Sequence, residues 1–250
     1  MLEKVRLAQA AIAAGDHPAA ERLSREILAQ EPGNADALSW LGIALAGQGR
    51  GAEAAQRFRE AAAARPDDAG MHLNLGNALA DLNQLDEAIF SYERALQLQP
   101  DYPQALNSLG CVLELRSRPQ EAIARYRQAI ALAPDYAEAW DNLGEALLQQ
   151  GREEEAEDSF RRALELQPDN ADAHAAAAAS YAAQGQLDAA RLAFERALAR
   201  RPDADDVRLD YAEVLEKLGR QDAARAEYGR LAAGAETPAP IRDAARRRLR

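Results

Sequence analysis

Cysteine is almost missing from this chain: Cys111 is the single one in 250 residues. No disulfide can form within the chain, so nothing points to an oxidising compartment. With no CxxC and no HExxH, the residue sets of common metal sites are lacking too, and no cofactor is expected. Histidine is as scarce, limited to His17, His72 and His174, and lysine is limited to Lys4 and Lys217. Basic charge is short overall, with 30 Lys and Arg against 41 Asp and Glu, a net charge of −11. Nucleic acid is therefore excluded as a partner, because its phosphates call for a basic face. Long apolar runs are absent: stretches such as Ala175–Ala179 fall far short of a bilayer span. The N-terminus shows no apolar core behind a basic stretch, so no secretory signal is expected. The expectation is a soluble, cytoplasmic protein.

What the chain does have is a period. Pro32, Pro66, Pro100, Pro134, Pro168 and Pro202 follow one another at intervals of 34 residues. Leu41-Gly42, Leu75-Gly76, Leu109-Gly110 and Leu143-Gly144 keep the same register. So do Ala54, Ala88, Ala122, Ala156, Ala190 and Ala224, and the aromatics Phe58, Tyr92, Tyr126, Phe160, Phe194 and Tyr228. Within one period the apolar positions recur at i, i+3, i+4 and i+7, which is one face of a helix. The pattern breaks once per period, at Gly15, Gly49, Gly151, Gly185 and Gly219, with Asn83 and Ser117 in the same place. A residue there ends one helix in the left-handed conformation. Alanine is abundant and β-branched residues are few, as an all-helical chain requires.

Each period therefore reads as helix, tight turn, helix. One such hairpin cannot bury its apolar face, so neighbours must stack. A chain of this length would be near the limit of a single compact core, and a one-dimensional stack escapes that limit.

The register resembles the tetratricopeptide repeat family, with Leu-Gly, Ala, an aromatic, Ala and Pro in fixed order. The resemblance implies an all-α, right-handed superhelical solenoid of seven repeats: 1–34, 35–68, 69–102, 103–136, 137–170, 171–204 and 205–238. Lys4 and Ser24 in the first repeat, and Arg208, Leu231 and Glu236 in the last, depart from the pattern, as outer repeats do. Residues 239–250, with Ile241, Ala244, Ala245 and Leu249 on one face and five arginines elsewhere, are expected to form a C-terminal capping helix.

Catalysis by this chain alone is not expected, because no convergent set of titratable residues is visible. His72 and His174 fall at the repeat position of Leu38, Leu106 and Trp140, a packing place, and His17 falls in the first inter-helix turn. Gly47-Gln48-Gly49-Arg50-Gly51 has the glycines of a phosphate loop, yet it joins two helices and follows no strand.

Function is expected on a surface. In the family, the second, fifth, sixth, ninth, twelfth and thirteenth positions of each first helix line a concave groove. Carried onto this chain, that frame turns inward Asp36, Asp81, Glu114, Glu138, Asp141, Glu145, Asp172, Asp206, Asp210, Glu213 and Glu216, against the bases Arg6 and Lys217 alone. Like charges gathered in a groove reinforce one another. Asn74, Asn77, Asn107 and Asn142 could hold the backbone of an extended peptide, since each amide both donates and accepts. Their spacing is partly similar to the asparagine ladder of the O-GlcNAc transferase family, with Ser108 interrupting it.

The peptide-binding residues so indicated are Asn74, Asn77, Asn107, Asn142, Asp141, Glu145, Asp172, Asp210 and Glu213. The partner would be a protein or peptide segment, basic in character. The alternative is a targeting region of a larger enzyme, such as a glycosyltransferase or sulfotransferase.

Overall fold

The computed structural model describes residues 2–167 and 170–250; Pro168 of the proline register lies outside the described residues. Every regular element among them is an α-helix. Two compact bodies divide the chain, residues 1–132 and 133–250. The first holds α1 (Leu2–Ala13), α2 (His17–Leu28), α3 (Ala35–Gly47), α4 (Gly51–Ala64), α5 (Ala69–Asp81), α6 (Leu85–Leu98), α7 (Pro103–Leu115) and α8 (Pro119–Leu132). The second holds α9 (Ala137–Gln149), α10 (Glu153–Leu166), α11 (Ala171–Ala183), α12 (Leu187–Arg200), α13 (Asp205–Lys217), α14 (Gln221–Ala233) and α15 (Ala239–Arg248). In each body, consecutive helices pack as hairpins and the hairpins stack on one another.

Local chemistry sets where helices stop and start. Within a hairpin the turn residue is left-handed: Gly49 has φ 76°, and Asn83 and Ser117 each have φ 57° where other repeats use glycine. At three repeat junctions, Asn34, Asp68 and Asn170 cap the next helix through their side chains, whereas Tyr102, Tyr136 and Ala204 at the same place do not. Asn34 Oδ1 accepts from the Ala37 amide at 2.9 Å, and Asp68 Oδ1 from the Gly70 amide at 2.9 Å. These bonds satisfy amides that a helix start leaves without partners.

The hairpin core is a glycine under a ring. A Cβ added at Gly110 would sit 2.4 Å from Cε1 of Tyr126, and one at Gly144 would sit 2.6 Å from Cε1 of Phe160. Phe160 is fully buried, as are Ala129 and Ala163 on the ring-bearing helices. Such burial stabilises by about 1.5–3 kcal/mol for a phenylalanine side chain.

Two of the departures at the ends, Lys4 and Arg208, are accommodated by ion pairs. Lys4 Nζ pairs with Glu26 at 2.6 Å, and Arg208 pairs with Glu227 at 2.7 Å, both of the latter largely buried. On α15, Ala245 is fully buried beside Leu231 and Tyr228, with Ile241 packed against the same cluster.

Candidate functional site

The four-asparagine reading separates into different roles, beginning with the three in the first body. Asn77 is exposed, and its Oδ1 accepts from the Tyr92 hydroxyl at 2.8 Å. Asn74 is half-buried and donates to Ser39 Oγ at 3.3 Å. Asn107 is only 2% exposed and offers no open amide to a ligand, which corrects its place among the binding residues. The physical reason is its register. It is the fifth residue of its repeat, as Ser39 and Leu73 are, and all three are buried.

In the second body, Glu138, Asp141 and Glu145 lie on one face of α9, at spacings of three and four residues. Asp141 is again the fifth residue of its repeat and is half-buried. Asn170 Nδ2 donates to its Oδ2 at 2.9 Å, while Oδ1 is buried with no hydrogen-bond partner. Burial, with Glu145 next in weight, pushes the Asp141 carboxyl up to about 7. Asn170 also caps α11 through Oδ1, so Asp141 is tied to the start of the next repeat. Asn142 beside it is half-buried.

On α13, Asp206, Asp210 and Glu213 likewise share one face, at spacings of four and three residues. Partial desolvation, then Glu213 and Asp206, raises the Asp210 carboxyl above the usual range. Asp210 has no cationic partner among the described residues. In the first body, burial likewise raises Glu114, which accepts from the Tyr126 hydroxyl at 2.5 Å.

Cations reach these faces from places that counting the first helices misses. Arg65 grips Asp36 through both Nη atoms at 2.9 Å, and Arg201 pairs with Asp172, each from the loop closing the same repeat. Arg248, at the end of α15, bridges Glu213 at 3.3 Å and Glu216 at 3.1 Å. Asp172 and Glu213, both read as binding residues, thus already hold a guanidinium.

Tetratricopeptide repeat models match residues 5–69 and 107–171, 76–115, 159–191 and 181–247. The first of these alone covers more than half of the chain. The chain belongs to the tetratricopeptide repeat family. A search of curated proteins finds no match. Among solved structures, the protein titled MamA is 25% identical, with TM-score 0.59 over 65% of this chain and 95% of its own. PilW, titled a type IV pilus biogenesis factor, is 24% identical, with TM-score 0.77 over 84% of this chain and 97% of its own. YrrB, titled a repeat protein with an unusual peptide-binding site, is 22% identical, with TM-score 0.57 over 72% of this chain and 93% of its own. The last two likenesses show the fold alone.

Within the tetratricopeptide repeat, the fourth position proves to have a second use beyond packing. His72 Nε2 lies 3.0 Å from the Pro66 carbonyl oxygen, Trp140 Nε1 donates to the Pro134 carbonyl at 3.0 Å, and Arg208 donates to that of Pro202. A proline six residues back cannot continue the helix, and its carbonyl takes a side-chain donor. His17 opens α2, and its ring occupies the space above Gly47. No group of His, Cys, Asp and Glu among the described residues could hold a metal ion. No helix among them is long and apolar enough to cross a membrane.

Proposed function

We propose that this chain is a protein-interaction scaffold whose first-helix faces bind a basic, extended or helical segment of another protein. The observation that carries the reading is Arg248. A guanidinium on a short helix docks between Glu213 and Glu216, so the face accepts in cis the chemistry of a basic ligand. Asp141 and Asp210 add to it, because carboxylates held above their usual range by burial and by neighbouring carboxylates gain most from an approaching cation. Asn74, Asn77 and Asn142 would contribute backbone contacts, and Asn107 would not. A binding scaffold also fits the family, and YrrB is titled as a peptide binder.

The test is titration of the whole chain with an arginine- and lysine-rich peptide at several salt concentrations. Affinity is expected to fall as salt rises, because the Debye length shrinks to about 8 Å at physiological ionic strength. Replacing Asp141 with Asn and Glu145 with Gln together should weaken binding about tenfold and leave the melting temperature unreduced. An acidic peptide that binds as well, or a double variant that binds like the parent, would overturn the reading.

A further inference from the structure

In the second body, a recess of about 580 Å³ opens among α10, α11 and α12. Arg161 and Leu164 reach it from α10, His174 and Tyr181 from α11, and Arg196 and Arg200 from α12. Its size is that of a small-molecule site, not of a single ion. Its charge runs against the molecule: three guanidinia meet here in a chain of net charge −11. Glu165 also lines the recess, but Arg162 holds its carboxylate at 2.7 Å.

The repeat register shows how unusual the lining is. At the place of Tyr181 the other repeats have Leu45, Leu79, Leu113, Leu147, Leu215 and Ala11. At the place of Arg200 the three preceding repeats have Leu98, Leu132 and Leu166. An analogous recess in the first body, about 420 Å³, has Leu106, Gln128 and Leu132 where His174, Arg196 and Arg200 stand here, and Arg125 is the one guanidinium among its lining residues. Stacking a hairpin needs none of the polar replacements, since six other repeats stack without that combination. Arg196 has counterparts in Arg94, Arg162 and Arg230, and His174 in His72, but Tyr181 and Arg200 are departures of this repeat alone, and their convergence on one recess beside a second guanidinium points to a ligand.

The cations are placed to take one. Arg161 is engaged at the edge by Asp158, and Arg200 donates to the Arg196 carbonyl oxygen at 3.3 Å. The Arg196 guanidinium has no carboxylate partner among the described residues, and both Arg196 and Arg200 are exposed. A guanidinium fork fits two oxygens of an oxyanion, and a phosphate group carrying about −1.5 to −2 charges matches several guanidinia better than a carboxylate does.

We propose that this recess binds an organic phosphomonoester, with the phosphoryl oxygens on Arg196 and Arg200 and the organic part against Leu164 and the Tyr181 ring. Arg161 stands at the rim. The site uses the side of α11 that faces α10 and α12 and involves none of the carboxylates assigned to the basic partner, so it can stand or fall separately.

Isothermal titration calorimetry on the whole chain, with phenyl phosphate, inorganic phosphate and benzoate, tests it. Phenyl phosphate should saturate one site and bind at least about tenfold more tightly than either of the others, since inorganic phosphate lacks the ring for the apolar wall and benzoate brings a single charge and two oxygens to the guanidinia. The Arg196→Gln, Arg200→Leu double variant should lose about tenfold or more in that affinity. Tyr181→Leu should bring phenyl phosphate down towards inorganic phosphate. Each substitution installs the residue another repeat carries at that place, so the melting temperature should hold. If the double variant melts early, Tyr181→Leu decides by the ratio of phenyl to inorganic phosphate. No saturation of the parent at millimolar ligand, equal affinity for inorganic phosphate, or variants that bind like the parent would overturn the proposal.

Discussion

At the scale of single residues, a missing side chain determines how closely two helices approach. Gly110 lies under the Tyr126 ring, and Leu109 beside it is 1% exposed. Gly110→Leu should overpack this crossing, displace the ring from Glu114 and cost on the order of 1–3 kcal/mol. A denaturant midpoint equal to that of the parent would count against this contact. Asp141 gives a prediction of the opposite sign. Its native carboxyl holds a proton up to about pH 7, whereas an unfolded aspartate releases it near its ordinary value of 3.8. Between these limits the folded state binds more protons, so stability falls as pH rises through the window and stays lowered above it. Asp141→Asn removes that loss. It should stabilise by on the order of 1 kcal/mol at pH 8, after allowance for partial exposure, with the gain vanishing near pH 4. Melting curves across that range check it, and a gain that grows towards acid would refute it.

At the scale of the element, α15 joins two properties in ten residues. Ala245 is buried against α13 and α14 while Arg248 turns to the carboxylates of α13. The helix therefore covers the end of the stack and also occupies part of the acidic face. Arg248→Ala should free Glu213 and Glu216 and raise affinity for a basic peptide about two- to fivefold, with little loss of stability because the pair is exposed. Ala245→Asp should instead lower the melting temperature, since it puts a carboxylate where the side chain is fully buried. Peptide titration and thermal melts of the two variants separate the roles.

At the scale of the whole chain, stability should be a sum over repeats and their neighbour contacts, because a repeat array has no single core. A fragment of residues 1–132, one of the two compact bodies, should fold alone and melt cooperatively at a lower temperature than the whole chain. Circular dichroism of the fragment tests this, and a chain of 132 residues without helical signal would refute it.

The helical architecture was legible from sequence because it is local. A proline every 34 residues, a left-handed residue between helices and a glycine opposite an aromatic each act within about one repeat, so the pattern could be read one hairpin at a time. Even Asn83 and Ser117 in the turn position were legible, since the register demands φ above zero there. The site was legible only in part. The carboxylates of α9 and α13 could be placed by helical spacing, but which were already matched could not. Arg65, Arg201 and Arg248 reach Asp36, Asp172, Glu213 and Glu216 across about 29 to 35 residues, and long arginine side chains obey no helical period. The half-burial of Asp141 depends on the next hairpin, whose Asn170 bonds its carboxyl. So does the recess at Arg196 and Arg200, which exists only when two hairpins lie side by side. Sequence determined the hairpins, because their contacts are near in the chain; the stacking of hairpins decided which charges are exposed, because burial belongs to the neighbour.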